Sequence, residues 1–103
     1  MSTSHVRVHR DADEELLAAA SWYESERAGL GAEFLAAIDR TVGAITERPE
    51  IGSIQRSIGA RDFRRVIVPR FPYQVVYCRE AGEILVIAFA HLKRRPQYWK
   101  SRF

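Results

Sequence analysis

The chain has 103 residues, 47% of them apolar and 28% charged, with a net charge of +3 and a single cysteine. That length allows one domain, residues 1–103, with one modest core built from two layers of secondary structure, and excludes a second folded unit. The composition is that of an ordinary globular protein, neither disordered nor membrane-embedded, and the lone Cys78 excludes an internal disulfide or a multi-thiolate zinc site and reads as a small buried hydrophobe.

Along the chain, Met1 to Asp11 carries Arg7 and Arg10 but no apolar h-region or small-residue cleavage site, so a cytoplasmic location is expected. His5 to His9 alternates polar and apolar residues, predicting a short half-exposed strand. Asp11 then offers an N-cap, and Asp13, Glu14 and Glu15 load the first helical turn with the charge its dipole favours. A first helix is predicted from about Ala12 to Arg27, with Ala12, Leu16, Ala19, Ala20 and Tyr23 as its apolar stripe. Gly29 and Gly31 flank Leu30 and mark a tight reversal. A second helix follows from about Ala32 to Glu47, with Phe34, Leu35, Ile38, Val42 and Ile45 at helical spacing and Pro49 beyond its end, so the pair forms an antiparallel hairpin.

Glu50 to Ala60 has two glycines and no sustained periodicity, and is expected to be a surface loop. Three strands are predicted after it, Arg61 to Val68, Tyr73 to Arg79 and Glu83 to His91, with turns at Pro69–Pro72 and Ala81-Gly82. The longest apolar run, Ile84 to Ala90, is about a third of the length that spans a bilayer, so no membrane association is expected. The expected fold class is α+β: an N-terminal strand, an antiparallel helix hairpin, a three-stranded antiparallel meander and a short C-terminal basic tail.

Charge is unevenly divided. Met1 to Ile51 holds five arginines against ten acids, a balance of −5, and Gly52 to Phe103 holds eleven Lys and Arg against three acids, a balance of +8. The second half therefore suits a polyanionic surface, nucleic acid or acidic protein. Arg61 and Arg70 also read as ordinary charges protecting a sheet edge. The adjacent Arg64 and Arg65 must point to opposite faces, so at least one lies near the helices or is paired. His5, His9 and His91 show no metal-ligand spacing, and neither a phosphate-binding glycine loop nor a nucleophile elbow is present, so no metal, cofactor or small-molecule substrate is expected.

Several short words recur in a telling order: Trp22-Tyr23-Glu24, Gly29-Leu30-Gly31 with Phe34 after it, Glu47-Arg48-Pro49, Phe71-Pro72-Tyr73 leading into Val75, Val76 and Tyr77, then Ala90-His91, Arg95-Pro96 and Tyr98-Trp99. Together they resemble the RelE/ParE toxin superfamily across nearly the whole chain, and match its ParE-like, plasmid-stabilisation branch best. The resemblance implies the toxin component of a type II toxin-antitoxin system, a growth inhibitor neutralised by a cognate antitoxin whose disordered C-terminal segment folds onto it. Trp22, Tyr23, Leu30 and Phe34 are the candidate antitoxin-binding residues. Phe34 also reads as plain core, whereas Trp22 precedes the buried stripe by one position and is the better interface candidate.

Two targets occur in the superfamily. The ParE branch binds DNA gyrase and traps its cleaved DNA intermediate without chemistry of its own; the candidate target-binding residues here are Arg94, Arg95, Tyr98 and Trp99 of the basic tail. Tyr98 and Trp99 alternatively fold back to cover the sheet while the cations stay solvated. The RelE branch cleaves messenger RNA on the ribosome, which needs a proton acceptor, cations around the phosphate and a donor to the leaving oxygen. Its candidates are Arg64, about where the nucleases carry a strand lysine, Arg65, His91 as general base, Arg94, and Tyr98, about where they carry a C-terminal tyrosine. His91 alternatively does no more than satisfy a backbone carbonyl. Where the nuclease branch follows a strand aromatic with arginine, Tyr73 is followed here by Gln74, which brings no charge. Gyrase binding is therefore the preferred reading, ribosome-dependent cleavage the alternative, and whether the chain is an enzyme depends on that choice. A third reading is an inactive homologue that acts only as an antitoxin-binding module.

Overall fold

The computed structural model describes residues 5–102. In chain order it contains β1 (Val6–Val8), α1 (Arg10–Glu26), α2 (Leu30–Glu47), β2 (Ser53–Ile58), β3 (Arg61–Ile67), β4 (Tyr73–Glu80), β5 (Glu83–His91) and a closing 3₁₀ helix (Tyr98–Arg102). The strands form one sheet in the order β1-β5-β4-β3-β2. The pairs β2–β3, β3–β4 and β4–β5 are antiparallel, and β1 runs parallel to β5 because the helix hairpin carries the chain back across the sheet. The α+β class is as expected, with a mixed sheet.

Two expectations are corrected. The segment from Glu50 to Ala60 is not a loop: it contains β2, so the antiparallel run has four strands rather than three. Its period-2 pattern is broken by a register shift between Ile54 and Arg56, and as an edge strand it is almost wholly exposed, which leaves no apolar alternation to read. Asp11 is not the N-cap of α1. The His9 side chain takes that place, its Nδ1 accepting from the Asp11 amide at 3.0 Å, while Asp11 and Asp13 lie inside the first turn.

The hairpin depends on a close approach. Glu24 near the end of α1 accepts hydrogen bonds from the amides of Gly29 and Gly31 at 2.9 and 3.0 Å, so its carboxylate caps the start of α2. Gly29 sits at φ 89°, and a β-carbon on Gly31 would lie 2.7 Å from the Ala20 carbonyl oxygen. The words Trp22-Tyr23-Glu24 and Gly29-Leu30-Gly31 are thus two halves of one turn.

The sheet has a core on each face. Against the helices lie Ala12, Ala19, Phe34, Ile38, Ile45, Val75, Tyr77, Val86 and Phe89. On the opposite face Phe63, Val76, Cys78, Ile87, Ala88 and Ala90 are closed over by Trp99 of the tail. The turn between β4 and β5 places Ala81 and Gly82 at φ 54° and 79°, the left-handed pair a two-residue hairpin requires. Among the described residues no helix is long and apolar enough to cross a membrane.

Candidate functional site

The four residues expected at the antitoxin contact separate by depth. Phe34 is fully buried, with Tyr23, Phe71 and Tyr73 around it at ring-centroid distances of 5.0 to 5.2 Å. Tyr23 and Leu30 are half-buried against this cluster. Trp22 is 58% exposed and stands edge-on to Tyr23. It borders a cleft of about 260 Å³ whose other walls include Ala18, Tyr73, His91 and Arg94.

Of the five residues considered for RNA cleavage, Arg64 stands apart, while Arg65, His91 and Tyr98 each adjoin Arg94. Arg64 lies on the sheet face that carries Tyr77, its Nη1 donating to the Gly52 and Glu50 carbonyls at 2.8 and 3.2 Å, with Asp62 at 3.9 Å. Arg65 is on the other face and donates to Gln74 Oε1 at 3.0 Å. His91 ends β5 opposite Tyr73, and its Nδ1 accepts from the Lys93 amide at 3.0 Å. Its backbone partner is therefore an amide, not the carbonyl expected. Arg65 and Arg94 share a cavity of about 290 Å³ with Gln55, Gln74, Gln97 and Trp99, and no carboxylate lines it.

Tail residues Tyr98 and Trp99 fold back. Trp99 is 3% exposed and packs on Phe63 with centroids 5.5 Å apart. The Tyr98 hydroxyl donates to Glu15 Oε2 at 2.5 Å, and burial together with that hydrogen bond holds its phenol well above the usual range. The Arg94 guanidinium stacks over the Tyr98 ring at 3.8 Å, and Arg102 grips Glu15 with both terminal nitrogens at 2.9 Å. Glu15 is thus the hub of the tail. In the sequence it is one of three carboxylates in a helix's first turn, and nothing there links it to residues eighty positions later.

The basic half of the chain is partly neutralised. Arg7 and Arg61 pair with Glu80 and Glu83 at the β4–β5 turn, and Arg70 joins Arg27 on Glu33, whose carboxyl is lowered by the hydrogen bonds from Arg27 and then Arg70. Among the described residues of this half, Arg56, Arg65, Arg79, Lys93, Arg95 and Lys100 have no carboxylate partner. Arg56 donates to Gln97 at 2.9 Å, and Arg56 and Arg65 share the sheet face on which the tail lies. Arg10 and Arg40 on the helices and Arg48 at the end of α2 also have no carboxylate partner among the described residues, so unpaired cations lie on both sides of the sheet, and the tail side carries a cluster of them in Arg56, Arg65, Lys93, Arg95 and Lys100. Among the described residues no group of three His, Cys, Asp or Glu could hold a metal ion.

A helix hairpin against a mixed sheet, with a short tail closing the opposite face, is the RelE/ParE toxin architecture. A family model described as the ParE toxin of the type II toxin-antitoxin system parDE matches residues 6–96, and the chain belongs to that family. Among solved structures, a chain from the chromosomal ParDE TA system of P. aeruginosa is similar, with a TM-score of 0.61 and 14% identity over 86% of this chain and 96% of that one. At that identity the likeness is one of fold. No curated protein matches.

Proposed function

We propose that the chain inhibits growth by binding DNA gyrase through its cationic tail, and that a cognate antitoxin neutralises it. The observation that carries this reading is the family match over residues 6–96, since a ParE toxin of a type II system implies an antitoxin partner. The distribution of charge supports a macromolecular target: Arg94 and Arg95 are exposed, and the tail side keeps its unpaired cations. Separation of Arg64 from the other catalytic candidates, and engagement of the Tyr98 hydroxyl, support inhibition by binding. Arg64 and Arg65 face opposite ways, and the Tyr98 hydroxyl is occupied by Glu15.

Ribosome-dependent cleavage has two observations in its favour, the cavity that Arg65 and Arg94 share and the cleft that His91 and Arg94 line. The cavity lacks a proton-transfer group, because Gln74 and Gln97 do not titrate, and His91 in the cleft already accepts from the Lys93 amide through Nδ1.

The test is induction of the chain with and without its antitoxin, followed by addition of the purified protein to a gyrase supercoiling reaction and, separately, to a translating ribosome extract. Growth arrest relieved by antitoxin, with blocked supercoiling and intact messenger, is the expected result. Cut messenger abolished by Arg65→Ala overturns it in favour of the ribonuclease, and no arrest at all supports an inactive antitoxin-binding module.

A further inference from the structure

β5 is longer than the strand beside it. β1 pairs with Ile84, Leu85 and Val86 and then ends, while β5 continues to His91. On the other side, Val76 pairs with Ala88 and Tyr77 with Val86, which leaves Ile87 as an extra residue in β5. Past β1, the outer edge of β5 presents the Ile87 carbonyl and the Phe89 amide. Both residues are buried, at 0% and 3% exposure, so water is a poor substitute for a partner.

An ion pair takes the place of the missing strand. Arg102 Nη1 donates to the Ile87 carbonyl at 3.0 Å, and Glu15 Oε1 accepts from the Phe89 amide at 3.2 Å. The two side chains are joined by hydrogen bonds of 2.9 Å from both terminal nitrogens, and both are largely covered, at 12% and 16% side-chain exposure. Glu15 Oε2 also receives the Tyr98 hydroxyl, whose ring carries the Arg94 guanidinium. One carboxylate on α1 therefore holds three residues of the tail.

We propose that Glu15 is a positioning residue for the target-binding tail, fixing Arg94, Tyr98 and Arg102 in the arrangement that meets the target. Its functional half rests on the gyrase reading; its structural half does not. The chemistry is specific to a carboxylate. Glutamine has the same shape, but its amide NH₂ would face the Arg102 donors, so the forked pair cannot form and a covered guanidinium keeps only the longer contact of its Nε to Asp11, at 3.7 Å, as counter-charge. The tail then detaches from the β5 edge. The hairpin stays intact, because its closure uses Glu24, Gly29 and Gly31 on other parts of the helices.

The sequence has two tryptophans, so in a Trp22→Phe background Trp99 alone reports on the tail. In the full chain, Glu15→Gln is compared with that background by acrylamide quenching of Trp99, by helix content from circular dichroism, and by the concentration that half-inhibits gyrase supercoiling. The expected result is a several-fold rise in quenching with helix content kept, together with a tenfold or larger loss of inhibition. If Glu15→Gln does not fold, Arg102→Lys, which keeps the charge and loses the fork, is read in the same assays, with smaller changes in the same direction. Unchanged shielding of Trp99 in a folded variant overturns the proposal, as does an opened tail with full inhibition. If the unsubstituted chain does not inhibit gyrase, the target assignment falls, and the quenching measurement still decides whether Glu15 fixes the tail.

Discussion

Trp99 lies against Phe63 with ring centroids 5.5 Å apart, on the sheet face turned away from the helices. The two are separated by the rest of β3, all of β4 and β5 and much of the tail, so this contact closes the second core. Truncation to Trp99→Ala should cost about 3–5 kcal/mol by urea denaturation, through lost transfer and the cavity left behind. A loss below about 1 kcal/mol, the scale of an ordinary surface change, would show that the tail does not pack there.

Gly31 and Gly43 both lie in α2 and should respond in opposite ways. A β-carbon at Gly31 meets the Ala20 carbonyl at 2.7 Å, whereas none of the surrounding atoms lies within 4 Å of one at Gly43. Gly31→Ala should lower stability by about 1–3 kcal/mol as the helices are forced apart. Gly43→Ala should raise it by about 0.5–1 kcal/mol through helix propensity. Thermal melts of the pair check this, and equal shifts of one sign contradict the hairpin geometry.

Trp22, 58% exposed, and Phe34, fully buried, divide the proposed antitoxin contact into a surface residue and the core beneath it. Trp22→Ala should leave the melting temperature nearly unchanged and raise the Kd for the cognate antitoxin at least tenfold, the scale of an aromatic anchor. Phe34→Ala should instead cost about 3–5 kcal/mol of stability. Calorimetric titration with the antitoxin decides; an unaltered Kd for Trp22→Ala moves the contact elsewhere.

The fold was legible where one face of an element is buried. The stripe of α1, the spacing of Phe34, Ile38 and Ile45 in α2, and the apolar run of β5 all pack as their periods imply. β2 was illegible because an exposed edge strand with a bulge at Gln55 keeps no apolar alternation. For the tail, sequence alone left open whether Tyr98 and Trp99 face outward or fold back. Fold-back follows from long-range contacts to Phe63 and Glu15 that no local pattern encodes. The charge asymmetry was legible as a total, but which cations stay unpaired depends on where Glu33, Glu80 and Glu83 come to lie.

All four tyrosines, Tyr23, Tyr73, Tyr77 and Tyr98, have phenols raised above 10.0, chiefly by burial. A raised folded value means that the stability these groups contribute is fully present below pH 10 and is lost as pH rises through the folded values. An ultraviolet difference titration should therefore show tyrosinate only above that pH, rising with the onset of unfolding. Tyrosinate forming below pH 10 in folded protein would contradict the burial of these side chains.

Cys78 is buried, and burial pushes its thiol up to about 11. Its thiolate is the reactive form, so the native protein should resist alkylation at neutral pH and react stoichiometrically once denatured. Rapid labelling of the folded chain would place Cys78 at the surface.

Gyrase is the proposed target of the chain. The most direct measurement mixes purified chain, gyrase and supercoiled plasmid, denatures the protein, and quantifies linear DNA. A trapped cleavage intermediate predicts linear plasmid that rises with the amount of chain and needs gyrase. Unbroken plasmid with normal supercoiling, alongside cut messenger in a ribosome extract, would contradict it.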